Sequence, residues 1–121
     1  MSQRILIVDD EPNIVISLEY LLKKEGFQIA VATDGEAALQ LASAFLPDLV
    51  LLDVMMPKKS GFEVCQALRT DPALAAVKVI MLTAKGRETE VAKGMALGAD
   101  AYVTKPFSTK ELVLQIKSLL A

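Results

Sequence analysis

Carboxylate side chains follow two apolar runs of the sequence, at the points where those runs end. Asp9, Asp10 and Glu11 come directly after the run ILIV, and Asp53 comes directly after LVLL. An Asp in such a position often caps the helix that follows it. The next helix start after Asp53, at Ser60, already has a hydroxyl cap of its own. A chemical role for Asp53 is therefore favoured over a structural one.

A hydroxyl group and an ammonium group follow two further apolar runs. Thr83 comes after VIML, and Lys105 comes after AYVT. Taken alone, the first would be an ordinary threonine at a strand end and the second a solvated lysine. Three carboxylates brought together repel one another, however, and one lysine does not neutralise them. A divalent cation would do so, and an all-oxygen site with adjacent waters suits Mg²⁺.

With such a cation beside it, the Asp53 carboxylate could attack a phosphoryl group and hold it as an aspartyl phosphate. Phosphoryl transfer requires little of a protein beyond positioning the group and neutralising its three equatorial oxygens. We expect a metal held by Asp9 and Asp10 to take one of these oxygens. The Lys105 ammonium and the Thr83 hydroxyl would take the other two. The combination predicts that Asp53 is a phosphate acceptor.

Apolar strands and helix-length segments alternate along the chain and must position these side chains. The predicted strands are residues 4–8, 28–32, 49–52, 77–82 and 101–104. Three of them are almost continuously apolar, as expected in a parallel sheet covered by helices on both faces. The pattern predicts an α/β fold with an open, doubly wound sheet of five βα units. In such sheets ligands bind at the carboxyl ends of the strands.

Several helix starts and ends are marked by the sequence. The segments TDGE (33–36), SGFE (60–63) and STKE (108–111) fit the capping box, with a hydroxyl cap and a Glu three residues later. Pro12 suits the first turn of the first helix, which makes Asp10 or Glu11 its candidate cap. Glycines in EG (25–26) and LGAD (97–100) are placed to end two helices.

Composition limits the classes of protein to which the chain can belong. Its 121 residues predict one domain over residues 1–121, and a formal charge of −2 argues against nucleic-acid binding by this chain alone. The single cysteine, Cys65, excludes an internal disulfide and favours a cytoplasmic setting, and its spacing from Phe62 and Leu68 predicts a core position. No apolar segment is long enough to span a membrane. The chain has no histidine, so any imidazole chemistry must come from a partner.

Four segments, in order along the chain, resemble the receiver domain of two-component response regulators, including those of chemotaxis. They are ILIVDDEP, LVLLDVMMPKKSGFE, VIMLTA and GADAYVTKPF, and the resemblance covers essentially the whole chain. It implies a flavodoxin-like receiver fold, with a five-stranded parallel sheet in the order 2-1-3-4-5 and helices on both faces.

The resemblance also implies roles for individual residues. Asp53 would be the phosphorylated aspartate, and Asp9, Asp10 and Asp53 would hold Mg²⁺ together with the backbone carbonyl of Met55. Thr83 would be the switch hydroxyl.

Three further residues receive a role or a conformation from the same resemblance. Lys105 would contact the phosphate, and Tyr102 would be the aromatic side chain that turns inward on activation. A cis peptide between Lys105 and Pro106 is implied as well.

The function implied is that of a phospho-acceptor signalling domain, which assists its own phosphorylation and dephosphorylation but is not otherwise an enzyme. The donor would be a sensor histidine kinase or a histidine phosphotransfer protein, and phosphate would switch the surface of helix 4, strand 5 and helix 5. In the first helix, one apolar stripe should face the sheet. Ile16 and Tyr20 fall on the opposite side, beside the acidic residues, and are predicted to form the docking patch for the donor.

The expected assembly rests on a departure from the family. Receivers of winged-helix transcription factors commonly pair through a face laced with charge pairs, and one such pair is absent here because its positions are Ala101 and Gln115. A second pair survives as Lys93 and Glu111. We expect a monomer, or at most a weak dimer that depends on phosphorylation, and favour a stand-alone receiver over the receiver part of a transcription factor.

Three other readings of the same residues remain open. A Mg²⁺-dependent aspartyl-phosphate phosphatase of the haloacid-dehalogenase type would need a second Asp two residues after Asp53, where this chain has Met55. A flavodoxin-like cofactor carrier would need a phosphate-binding loop after the first strand, and DDEPN would repel phosphate. A degenerate receiver could act only as a binding scaffold.

Overall fold

The computed structural model describes residues 3–54, 56, 60–84 and 88–121. Within these residues, five β-strands alternate with five α-helices. The strands are β1 (Arg4–Val8), β2 (Gln28–Ala32), β3 (Leu49–Asp53), β4 (Lys78–Ala84) and β5 (Ala101–Lys105). The helices are α1 (Pro12–Lys24), α2 (Gly35–Phe45), α3 (Gly61–Thr70), α4 (Glu88–Ala96) and α5 (Thr109–Leu120).

The strands form one parallel sheet in the order β2-β1-β3-β4-β5, which confirms the predicted fold class. Alternate side chains of the strands enter two separate cores, as the period of two requires. Leu6, Val50 and Val79 belong to a cluster on the face covered by α2 and α3. Ile5 and Leu51 belong to a cluster on the opposite face, where α1 and α5 pack. The central strands are therefore buried on both faces, as their apolar runs predicted, and the edge strands β2 and β5 are partly exposed.

Three strands extend past the predicted ends, and these extensions contain the candidate site residues. Strand β3 includes Asp53, which lies opposite Leu82 of β4. Strand β4 includes Thr83, and β5 includes Lys105. The predictions stopped where the apolar run stopped, but backbone pairing between strands does not depend on side-chain polarity. The polar side chains thus stand on paired backbone rather than in loops.

The predicted helix starts are confirmed with two differences: the cap of α2 is another residue, and in the predicted capping box 108–111 the described residues form the bond to the Ser hydroxyl but not the return bond from the Glu. Asp34, not Thr33, caps this helix, and its carboxylate accepts a hydrogen bond from Ala37 N at 2.8 Å. Two capping residues stand side by side here, and the charged one also interacts favourably with the positive end of the helix dipole. The capping box of Ser60 and Glu63 is complete, with both bonds at 3.3 Å.

The remaining local predictions concern three helix boundaries, one thiol and the membrane. Helix α1 begins at Pro12, and Gly26 and Gly98 adopt the left-handed conformation expected of residues that end helices. Cys65 is fully buried in the core, and burial raises the pKa of its thiol, so the predicted core role is confirmed. Among the described helices, none has the combination of length and apolar character needed to cross a bilayer.

Candidate functional site

The carboxyl ends of four strands bring the predicted site residues to one edge of the sheet. Asp9 follows β1, Asp53 ends β3, Thr83 lies near the end of β4 and Lys105 ends β5. The parallel register places these ends side by side: Val8 lies opposite Leu52, one residue before each acid. Residues separated by as many as 96 positions in sequence therefore form one cluster, because parallel strands all end at the same edge.

Three carboxylates approach closely enough to share a cation. One oxygen from each of Asp9, Asp10 and Asp53 lies within 4.8 Å of the others. Asp9 is fully buried and Asp53 nearly so, whereas Asp10 is exposed to solvent. Oxygen ligands with open access to water are the set that Mg²⁺ prefers. The residues present therefore fit the metal that the sequence predicted.

Lys105 is the cation that the described structure places among these acids. Its ammonium nitrogen lies 3.0 Å from Asp9 Oδ2 and 3.5 Å from Asp53 Oδ1. Burial by itself lowers the pKa of Lys105, but Asp9, Glu11 and Asp53 outweigh this effect and raise the pKa above its usual 10.5. The ammonium therefore stays protonated at neutral pH. One such charge does not neutralise three carboxylates, which agrees with the expectation drawn from the sequence.

Glu11 is a member of the site that sequence reasoning did not assign. The sequence indicates only a capping role for Glu11, and its backbone does occupy the N-cap position of α1, but its side chain makes no capping bond. Instead Glu11 Oε1 accepts a hydrogen bond from Lys105 Nζ at 3.1 Å. The backbone N–H of Glu11 donates to Asp9 Oδ1 at 2.9 Å. No sequence signal indicated the contact between Glu11 and Lys105, because these residues are 94 positions apart.

The Thr83 hydroxyl is buried and forms no hydrogen bond with any of the described residues. Buried hydroxyls without partners are uncommon, because desolvating one costs free energy that a hydrogen bond normally offsets. A phosphoryl group attached to Asp53 would bring an oxygen atom to this edge of the sheet, and that oxygen could accept a hydrogen bond from the Thr83 hydroxyl. The position is thus compatible with the role predicted for Thr83.

The other predicted site residues are placed as follows. Tyr102 lies on β5 with its side chain 46% exposed, so it points toward solvent in this structure. Ile16 and Tyr20 are 65% and 72% exposed, which confirms the predicted division of α1 into a buried and an exposed face. The Lys105–Pro106 peptide is cis, as implied by the resemblance. Met55 lies outside the described residues.

Gly61 is a second residue whose importance was not predicted. A Cβ atom built on it would lie 2.3 Å from the backbone oxygen of Asp53 and 2.9 Å from Val54 Cα. Its N–H donates to Val54 O at 3.0 Å. The first residue of α3 thus rests directly against the end of β3. In the sequence Gly61 appeared only as a spacer within a capping box.

We therefore predict that Gly61→Ala displaces the backbone of Asp53. Overpacking of this kind costs about 1–3 kcal/mol of unfolding free energy. A misplacement of about 1 Å at a reacting group can slow a reaction on the order of a hundredfold. Urea denaturation and the rate of phosphorylation by acetyl phosphate measure the two effects.

Gly26→Ala is the matched control for this substitution. Gly26 has a φ of +97° and no atom within 4 Å of a built Cβ, so an alanine there is strained without touching the site. It should lower stability and leave the phosphorylation rate unchanged. Equal rates for Gly61→Ala and the parent protein would show that the close approach does not position Asp53.

Comparison with known proteins places these residues in a family. The family model of the response regulator receiver domain matches residues 5–117. The chain is 46% identical to the alkaline phosphatase synthesis transcriptional regulatory protein PhoP of Bacillus subtilis, over 99% of this chain and 49% of that protein. It is 47% identical to the DNA-binding response regulator MtrA of Mycolicibacterium smegmatis, over 99% of this chain and 51% of that protein. The chain thus spans about half the length of these curated relatives.

Solved structures are similar over almost the whole chain. The chemotaxis response regulator CheY4 of Vibrio cholerae matches with a TM-score of 0.92 and 28% identity, covering 98% of this chain and 99% of that one. A signal receiver domain from a signal transduction histidine kinase of Syntrophus aciditrophicus matches with a TM-score of 0.91 and 34% identity, covering 98% and 90%. The five-stranded order observed here is thus the order of a known fold.

Proposed function

The chain belongs to the response regulator receiver domain family, and on that basis we propose that it accepts a phosphoryl group on Asp53. Receivers are signalling domains of two-component systems rather than classical enzymes. The observation that carries the proposal is the environment of Asp53. Its carboxylate is nearly buried at the end of β3, with Lys105 Nζ 3.5 Å away and oxygens of Asp9 and Asp10 within 4.8 Å.

In the proposed reaction an Asp53 oxygen attacks phosphorus, and the bond between phosphorus and the donor's imidazole nitrogen breaks. The electron pair of that bond leaves with the imidazole, which must belong to a partner because this chain has no histidine. Lys105 supplies a fixed positive charge, and the Thr83 hydroxyl donates a hydrogen bond to a phosphoryl oxygen. Asp9, Asp10 and Asp53 are the residues that would hold Mg²⁺, which supplies further positive charge to the phosphoryl oxygens.

Acetyl phosphate tests this proposal without any partner protein. In the presence of Mg²⁺ the chain should gain one phosphoryl group, and hydroxylamine should remove it, as expected for an acyl phosphate. Failure to incorporate phosphate would favour the scaffold alternative. Rapid release of inorganic phosphate from unrelated phosphate esters would favour the phosphatase alternative, which the absence of a second Asp at position 55 makes less compatible with the sequence.

The donor proposed is the phosphohistidine of a sensor kinase or of a phosphotransfer protein, in the cytoplasm. Ile16 and Tyr20 are exposed on α1, the helix that begins just after the acidic residues, and we propose that they contact this donor. Alanine at both positions should slow transfer from a phosphohistidine donor and leave labelling by acetyl phosphate unchanged. An equal effect on both donors would place the defect in the site rather than in docking.

Phosphate on Asp53 is proposed to act on the surface of α4, β5 and α5 through Thr83 and Tyr102. As the Thr83 hydroxyl moves toward the phosphoryl group, it vacates space for the Tyr102 ring, which is half exposed before activation. Beryllofluoride, a phosphoryl mimic, should therefore shift the ring signals of Tyr102 in NMR spectra. Thr83→Ala should abolish this shift, whereas Thr104→Ala, at the position paired with Thr83 on β5, should retain it. A Tyr102 signal that ignores beryllofluoride in the parent protein would exclude the ring from the switch.

For assembly we propose a monomer, or a weak dimer after activation. The Lys93 ammonium lies 4.6 Å from the centre of the Phe62 ring, so the lysine expected to pair across a dimer already has a partner within its own chain. Light scattering of the beryllofluoride-activated protein decides the point. A tight dimer that Glu111→Lys disrupts would instead favour pairing of the winged-helix type. It would also favour a transcriptional output, as in the names of PhoP and MtrA, over a stand-alone receiver.

A further inference from the structure

Three carboxylates surround the Lys105 ammonium, so any further acceptor must displace one of them. Its ammonium has three N–H groups, and Asp9, Glu11 and Asp53 lie 3.0, 3.1 and 3.5 Å from the nitrogen. Among the described residues, the contact with Glu11 has the alignment of a hydrogen bond. Asp9 Oδ2 is nearer, but its contact with the ammonium falls outside hydrogen-bond geometry and is an ion pair. The ammonium is thus shared between buried Asp9 and exposed Glu11.

The Glu11 side chain has no evident structural task that would explain this contact. It does not cap α1, although its backbone stands in the N-cap position. It is 58% exposed, and its carboxylate is not one of the three whose oxygens cluster within 4.8 Å. The remaining interaction of the Glu11 side chain is its hydrogen bond with Lys105, the lysine proposed to contact the phosphoryl group.

We propose that Glu11 competes with the phosphoryl group for Lys105, and so lowers the affinity of the site for phosphate and its mimics. This inference rests on the proposed function, because the competition matters only if Asp53 carries a phosphoryl group. In the unphosphorylated chain the ammonium is bound to Glu11. When the phosphoryl group arrives on Asp53, Lys105 releases Glu11 and donates to a phosphoryl oxygen.

Burial decides which carboxylate Lys105 releases. Asp9 is fully buried, so its carboxylate cannot exchange a lost contact with the ammonium for bulk water, and the separation is costly. Glu11 is largely solvated, so water replaces the lost contact at little cost. The competition is therefore weak enough for the phosphoryl group to win it. It is still strong enough to measure, because exposed ion pairs correspond to changes in affinity of up to about fivefold.

Glu11→Gln removes the competing charge while keeping the size of the side chain, and it leaves the start of α1 intact because Glu11 makes no capping bond. With Mg²⁺ saturating, the variant should bind beryllofluoride about two- to fivefold more tightly than the parent protein. In the protein without beryllofluoride, the ¹H–¹⁵N signal of the Lys105 ammonium should shift, because its hydrogen bond to the charged Glu11 carboxylate is replaced by, at most, a weaker bond to a neutral amide oxygen. A side chain with a purely structural role would not change this signal.

Glu19→Gln is the matched control, since Glu19 lies on the same helix and forms its ion pair with Lys23, at 3.1 Å. It makes the same change in net charge and should alter neither the affinity nor the Lys105 signal. Glu11→Asp keeps the charge but shortens the side chain, so it should also release Lys105 and tighten binding.

Three results would overturn the competition: an affinity for beryllofluoride that is unchanged or weaker in Glu11→Gln, a Lys105 signal that does not move, or parental affinity in Glu11→Asp. Parental affinity in Glu11→Asp would mean that the negative charge at position 11, and not its contact with Lys105, determines the affinity for beryllofluoride. A parent protein that binds no beryllofluoride and takes no phosphate from acetyl phosphate would count against the proposed function itself. A parent protein that binds it as tightly as Glu11→Gln would exclude only the competition.

Discussion

Asp53→Asn should take up no phosphate from acetyl phosphate and Mg²⁺ under conditions in which the parent protein is labelled. The amide that replaces the carboxylate has nearly the same shape but carries no negative charge, and its oxygen is a poor nucleophile toward phosphorus. The substitution also removes one of three clustered acids. We therefore expect a folded protein whose labelling falls to background, as measured by intact-mass spectrometry.

Asp48→Asn is the control that separates the acceptor from other acids near the same strand. Asp48 directly precedes β3, at the end of the strand opposite Asp53, and its carboxylate accepts a hydrogen bond from Arg4 N at 2.8 Å. This variant should be labelled as well as the parent protein. Labelling that survives in Asp53→Asn would move the acceptor to another side chain, and circular dichroism would establish that both variants are folded.

The sequence was sufficient to predict that Asp53, Thr83 and Lys105 would meet, for a simple geometric reason. Each follows or ends an apolar run, and parallel strands present their carboxyl ends at one edge of the sheet. No knowledge of side-chain conformation was needed. The predicted ends of three strands were wrong by one or two residues, because the apolar runs stop before the backbone pairing does.

Glu11 and Gly61 were not predictable in the same way. The role of Glu11 depends on the direction of one flexible side chain, which forms a bond to Lys105 instead of capping its own helix. The role of Gly61 depends on how closely α3 approaches the end of β3, a distance that only the packed structure defines. The predicted cap of α2 was wrong because Thr33 and Asp34 are adjacent and both can cap a helix. The capping-box pattern favoured Thr33, whereas Asp is the stronger N-cap residue and is the one that the structure uses.

Asp10→Asn should remove Mg²⁺ binding with little loss of stability. Asp10 is the exposed member of the three clustered acids, so its carboxylate can reach both a hydrated cation and bulk water. Mg²⁺ is held by few protein ligands and several waters, so losing one charged ligand should weaken the metal affinity on the order of a hundredfold. Exposed substitutions usually change the free energy of unfolding by no more than about 0.5 kcal/mol. Isothermal titration calorimetry and urea denaturation measure the two quantities.

Asp9→Asn provides the contrast, because Asp9 is expected to serve both the metal and the fold. It is fully buried, lies 3.0 Å from Lys105 Nζ and accepts a hydrogen bond from the backbone N–H of Glu11. Removing its charge should weaken Mg²⁺ binding and also destabilise the protein, since Lys105 loses its nearest counter-charge. If Asp10→Asn binds Mg²⁺ with parental affinity, the metal does not use the exposed acid. If instead Asp10→Asn loses as much stability as Asp9→Asn, both acids contribute to the stability of the fold, contrary to what their burial indicates.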